Sequence, residues 1–115
     1  MKYVLLFVGT MDEQRRFEAQ STDEMQVAMA GAMSWFETYS KAGKLVGGEQ
    51  LKGPDTVTTV RSKDGKRVVT DGPFIESKEI IGGFAVVDVK DLDEALDMAK
   101  AWPAGPVEVW PAVER

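Results

Sequence analysis

The sequence predicts an α+β protein of ferredoxin-like β-α-β-β-β-α-β order. Three observations point there. Lys2–Val8 and Phe84–Val89 are apolar on both alternating sides, as strands are when both faces are covered. Two amphipathic helices follow helix-start signals at Ser21 and Asp91. Asp64-Gly65 separates two short β-forming runs, a two-residue hairpin signal because both turn positions need positive φ.

The elements follow in order. Lys2–Val8 puts Tyr3, Leu5 and Phe7 on one side and Val4, Leu6 and Val8 on the other, and Gly9 ends it. Thr10–Gln20 is polar, with Phe17 the main exception, and reads as a surface loop with room for a helical turn. Ser21-Thr22-Asp23-Glu24 is a capping-box pattern, opening a helix to about Ala42 that Gly43 stops. Met25, Met29, Ala32, Phe36 and Tyr39 recur at three and four, and Val27 and Trp35 widen that apolar face, which reads as core packing. Lys44–Leu51 reads as a Gly-containing approach segment, closed by Gly53-Pro54-Asp55. Thr56–Ser62 and Lys66–Thr70 form the hairpin, and Asp71-Gly72-Pro73-Phe74 breaks it. Gly82-Gly83 leads into the Phe84–Val89 strand and reads as a bulge. A second helix runs from the Asp91 cap to about Trp102, with Leu92, Ala95, Leu96, Ala99 and Trp102 inward, until Pro103. Val107–Trp110 is the last strand.

Two helices cover one face of such a sheet. Strands apolar on both sides need a second cover, and a second copy packed sheet against sheet is the simplest one. The expectation is a homodimer with an α+β barrel or sandwich at its centre.

Composition limits the chemistry. The chain has 115 residues, the length of one domain, with no Cys and no His. That removes thiol nucleophiles, imidazole bases, disulfides and His- or Cys-bound metals. Proton chemistry falls to Asp, Glu, Lys or Tyr, and neither cofactor nor metal is expected. The net charge of −5, with no basic stripe, speaks against nucleic acid and anionic membranes. The apolar runs are too short to span a bilayer, so a cytoplasmic protein is expected.

The stretch from Asp71-Gly72-Pro73-Phe74 through Glu76-Ser77-Lys78-Glu79 to Gly82-Gly83-Phe84 resembles the DGPF group of the YCII-related (YciI-like) proteins. The resemblance extends to Met1-Lys2-Tyr3, Ala42-Gly43-Lys44-Leu45, Gly48-Glu49-Gln50-Leu51, Val60-Arg61, Glu94-Ala95 and Glu108-Val109-Trp110-Pro111, and so covers one domain over residues 1–115. It implies a dimeric α+β barrel and no settled activity. Some relatives are linked to a His–Asp pair in a cleft; Asp71 matches the Asp, and this chain has no His. Trp110 stands where the family's C-terminal pattern carries an Arg.

The candidate site follows from these residues. Asp71 is a turn residue that also offers a carboxylate for acid–base work or ligand contact. Glu76, Lys78 and Glu79 form a charged cluster beside it, and Arg61 on the neighbouring strand can hold an anion. Glu76 and Lys78 also read as an ion pair, and Phe74 as a core plug. Asp91, Asp93, Glu94 and Asp97 read as a helix cap and a solvated face rather than a metal site. Three functions are open: a homodimer binding a small polar or amphipathic ligand near Asp71; a cofactor-free enzyme using Asp71; or an accessory partner of an extracytoplasmic-function sigma factor system, a role the resemblance suggests.

Overall fold

A computed structural model describes residues 1–72 and 78–115. The expectations placed on Pro73, Phe74 and Glu76 lie outside the described residues. The elements run β1 (Lys2–Thr10), α1 (Met11–Glu18), α2 (Thr22–Lys41), β2 (Leu45–Gln50), β3 (Thr58–Lys63), β4 (Lys66–Asp71), β5 (Glu79–Asp88), α3 (Leu92–Lys100) and β6 (Val107–Pro111). Four strands form one antiparallel sheet in the order β2-β5-β1-β6. This is a mixed α+β fold compatible with a ferredoxin-like arrangement.

Local chemistry explains the helices. Ser21 Oγ accepts from the Glu24 amide at 3.2 Å, and the Ser21 amide donates to Glu24 Oε1 at 3.1 Å, completing the capping box. The bond from the Ser21 amide, helped by the Ser21 hydroxyl, holds the Glu24 carboxyl below its ordinary 4.5. Gly43, at φ +73°, follows the helix in the left-handed conformation its end requires. Asp91 Oδ1 accepts from the Glu94 amide at 2.9 Å and starts α3.

Several expectations are corrected. Thr10–Gln20 is not a loop but contains α1. Thr10 Oγ1 accepts from the Glu13 amide at 3.2 Å, so Thr10-x-x-Glu13 repeats the Ser21 device. Acidic Asp12 and Glu13 open the helix and basic Arg15 and Arg16 close it, matching its dipole. The approach segment Lys44–Leu51 holds an edge strand, β2, where glycine composition hides the β signal. A Cβ on Gly48 would lie 2.6 Å from the Phe84 carbonyl oxygen, so glycine is what lets β2 sit this close to β5. Among the described residues the hairpin strands β3 and β4 do not join the main sheet but pair with each other. The β5 strand begins at Glu79, before the expected Phe84, and α3 ends at Lys100, before Trp102.

The hairpin and bulge follow the sequence. Asp64 and Gly65 have φ of 51° and 76°, the paired positive values of a tight two-residue turn. Phe7 faces Gly83 while Val8 faces Ile81, which leaves Gly82 as the extra residue.

The core lies between the sheet and the helices. Tyr3, Leu5 and Phe7 of β1 are buried with Ala85 and Val87 of β5, Trp35 of α2, and Ala95 and Met98 of α3. Trp35 Nε1 donates to the Met98 carbonyl oxygen at 2.9 Å, tying α2 to α3. Phe7 stacks on Trp102 with ring centroids 3.9 Å apart, and Trp35 meets Phe7 edge-on at 5.5 Å. Val27 does not widen this face: it lies 200° around the helix from Met25 and Met29 and is exposed. Leu92, at the first position of α3, overhangs the core edge and is exposed, while Met98 is buried instead.

The opposite sheet face has no comparable burial. Val4 and Leu6 pair across with Val86 and Phe84, Val8 with Ile81, and Val4 also with Trp110. None of these seven apolar residues is buried, and Trp110 is 56% exposed.

Candidate functional site

The helix-covered side of the sheet is not filled at one end. There β1 finishes and the chain turns at once into α1. A cavity of about 260 Å³ lies between the strand ends, α1, α2 and the segment after α3. Its walls include Phe7 of β1, Phe17 of α1, Met29, Ala32 and Phe36 of α2, and Trp102. Ile80, Gly82 and Gly83 of β5 close another side, and Ala104 and Gly105 a third.

Glycines hold the backbone walls close together. A Cβ on Gly83 would meet the Glu49 carbonyl oxygen at 2.9 Å, and one on Gly105 would meet the Val8 carbonyl oxygen at 3.0 Å. The bulge at Gly82 is therefore both a sheet irregularity and part of the cavity wall. The size falls just below the roughly 300–1,000 Å³ of pockets for drug-sized molecules, which suits a small ligand.

A few polar groups interrupt the apolar lining: Thr10, Gln14, Glu49 and Gln50. Thr10 Oγ1 lies 3.2 Å from Glu13 Oε1, and Gln14 Nε2 donates to Glu18 Oε1 at 2.9 Å. Among the described residues no Lys or Arg lines the cavity.

The residues singled out from the sequence fall in two places. Asp71 ends β4, exposed, opposite Thr58. The turn beside it is held through Gly72, at φ +96°, whose amide donates to the Val57 carbonyl at 2.7 Å. Thr59 Oγ1 donates to the Gly72 carbonyl at 2.6 Å. Arg61 sits in the middle of β3, opposite Val68 and partly buried. Lys78 and Glu79 are exposed at the start of β5. Glu79 comes nearest the cavity, for its strand partner Thr10 and its neighbour Ile80 both line it. Asp71, Arg61, Lys78 and Glu79 themselves do not line it.

Sequence reasoning passed over Phe17, Ala28, Trp102 and Gly105 as site residues. Phe17 carried a signal, a lone aromatic in a polar stretch three residues beyond Gln14. The others carried none, because their meeting depends on how α2 and the chain after α3 cross the sheet end. Among the described residues no cluster of three His, Cys, Asp or Glu is placed to hold a metal, and no helix is long and apolar enough to cross a membrane.

This architecture, a small antiparallel α+β module with an apolar hollow at one sheet end, defines a class of fold without naming a reaction. The sequence decides the family. Residues 1–114 match the YCII-related domain, and the chain belongs to that family. It is also 38% identical over 82 residues to an uncharacterised protein of Rhizobium meliloti (strain 1021). The matched stretch covers 71% of this chain and 66% of that protein, just under two thirds of its length.

Proposed function

We propose that this YCII-related protein, of the DGPF type, is a homodimer that binds a small amphipathic molecule. The observation that carries the ligand reading is the cavity of about 260 Å³, walled by Phe7, Phe17, Phe36 and Trp102 beside a few polar groups. Glu79 and Lys78 precede the wall residue Ile80 in the chain. In this reading Glu79, the strand partner of the wall residue Thr10, stands at the approach to the cavity.

Dimer formation is supported by the uncovered sheet face and by shape. The radius of gyration is 16.1 Å, against about 13 Å for a compact domain of this length. The extents of 46 × 44 × 20 Å are those of a flat molecule, a sheet with helices on one side and a hairpin standing apart from it. A second copy against Leu6, Phe84, Val86 and Trp110 gives these side chains the cover that the described residues do not supply.

A thermal-shift screen of small aromatic and short-chain molecules tests the ligand reading. Ligand at about 100 times its Kd adds roughly 2.7 kcal/mol to stability and raises the melting temperature. Ala28→Phe places a ring at the cavity wall from an exposed helix position, so the fold survives while the response is lost. A response unchanged in Ala28→Phe, or no response to any compound, defeats the reading.

A further inference from the structure

We infer that the ligand is an organic amine: a small apolar body, aromatic or short-chain, bearing a protonated nitrogen. The inference rests on the cavity being the ligand site and adds the ligand's charge and polarity. Two independent features carry it, the aromatic wall and the direction in which the polar groups face.

The polar groups at the α1 side of the cavity, Thr10 and Gln14, each donate to a carboxylate and each keep an acceptor. An ionised carboxylate only accepts hydrogen bonds, so the 2.9 Å contact from Gln14 to Glu18 fixes which end of the amide is NH2. The Gln14 Oε1 acceptor is thereby turned away from Glu18, on a residue that lines the cavity. Thr10 spends its only hydroxyl proton in the same way, on Glu13 Oε1 at 3.2 Å, so it offers the cavity an acceptor and no donor. Both lining groups are thus backed by a negative charge. Glu13 stands at the wall by a second measure, for a Cβ on Gly9 would lie 3.6 Å from its Oε2. Glu18 Oε1 and Asp55 Oδ1 converge within 3.0 Å and 2.8 Å of the Cβ position of Gly53.

No Lys or Arg lines the cavity among the described residues, so a carboxylate or phosphate ligand meets no counter-charge there. The net charge of −5 repels anions further at long range. A cation is favoured by the same field, and the face of an indole or phenyl ring attracts it at short range. Trp102, Phe17 and Phe36 are the rings of the lining besides Phe7, which Trp102 covers on one face. An amine with an apolar body satisfies both ends of the site.

Isothermal titration with three molecules of one shape separates charge from burial: 2-phenylethylamine, 2-phenylethanol and 3-phenylpropionate. The amine is expected to bind about tenfold tighter than the alcohol, with the carboxylate weakest. In the Glu13→Gln/Glu18→Gln double variant the amine's advantage falls to about threefold or less, while the alcohol is held as before. Asp93→Asn, on the far side of α3's first turn, leaves the advantage intact. Should the double variant lose its fold, Glu18→Gln alone gives the same comparison at half the charge change. An amine that binds no better than the alcohol overturns the charge assignment and leaves the cavity as the site. An advantage that survives loss of both carboxylates, and of the lining Glu49 charge when Glu49→Gln is added to the double variant, overturns it as well. If none of the three binds, the cavity reading falls and this inference with it.

Discussion

The two sides of β1 carry nearly the same chemistry and have different fates. Tyr3, Leu5 and Phe7 are buried beneath α2 and α3; Val4, Leu6 and Val8, interleaved with them, remain half-exposed. Nothing in side-chain hydrophobicity separates the two sets. What separates them is that the helices, linked by Trp35 Nε1 to the Met98 carbonyl, lie on one side only. An apolar strand face thus states a need for cover without stating whether the cover is in the same chain. The hairpin repeats the contrast: Val60 and Val69 pair across it and both are exposed.

Substitutions on the two sides are expected to break different things. Leu5→Ala, at a fully buried position, leaves a cavity and costs about 3 kcal/mol in denaturant unfolding. A cost below about 1 kcal/mol would mean that the helix-covered side is not the true core. Leu6→Glu, one residue away, is expected to spare the protomer's fold and weaken self-association by about 100-fold, a loss of roughly 2–3 kcal/mol read by sedimentation. If the wild-type chain sediments as a lone protomer at micromolar concentration, the dimer proposal is wrong.

The smaller effects concern local devices. Ser21→Ala and Thr10→Ala each remove a helix cap and should cost about 1 kcal/mol, with Thr10 sitting beside the cavity and Ser21 away from it. Only Thr10→Ala should then also change ligand response. Smallest is the acid dependence of Glu24. Its carboxyl titrates below 4.5 when folded, so its contribution is present above that pH and is lost as the pH falls through the lowered value. Glu24→Gln keeps the cap and flattens the melting-temperature profile in that acid range; an unchanged profile would show that the bond from Ser21 does not stabilise the charged form.

The sequence was informative where signals were local and of a familiar kind. Ser21, Asp91, Gly43 and the Asp64-Gly65 turn each act within four residues, and each stands as read. Thr10 was the same kind of signal, hidden because the helix it starts exposes most of its surface and carries only Met11 and Phe17 as apolar markers. Edge strand β2 was hidden for another reason: Gly47 and Gly48 lower β propensity, yet close backbone approach demands glycine at position 48. At the site, Gly82-Gly83 was legible as a bulge, but its service as a cavity wall was not. The charged residues Asp71, Arg61, Lys78 and Glu79 drew attention by type, whereas the hollow is built mostly of apolar side chains that look like any core.

By itself, then, the sequence determined the caps, the tight turn, the alternation of β1 and the absence of thiol and imidazole chemistry. These depend on neighbours within a few residues or on composition alone. Tertiary structure decided which apolar side of the sheet the helices take, that the hairpin stands apart from the sheet, and that Phe7, Phe17, Phe36 and Trp102 surround a space they do not fill. Those outcomes depend on how elements far apart in the chain cross and pack, and packing geometry is not written in any one segment.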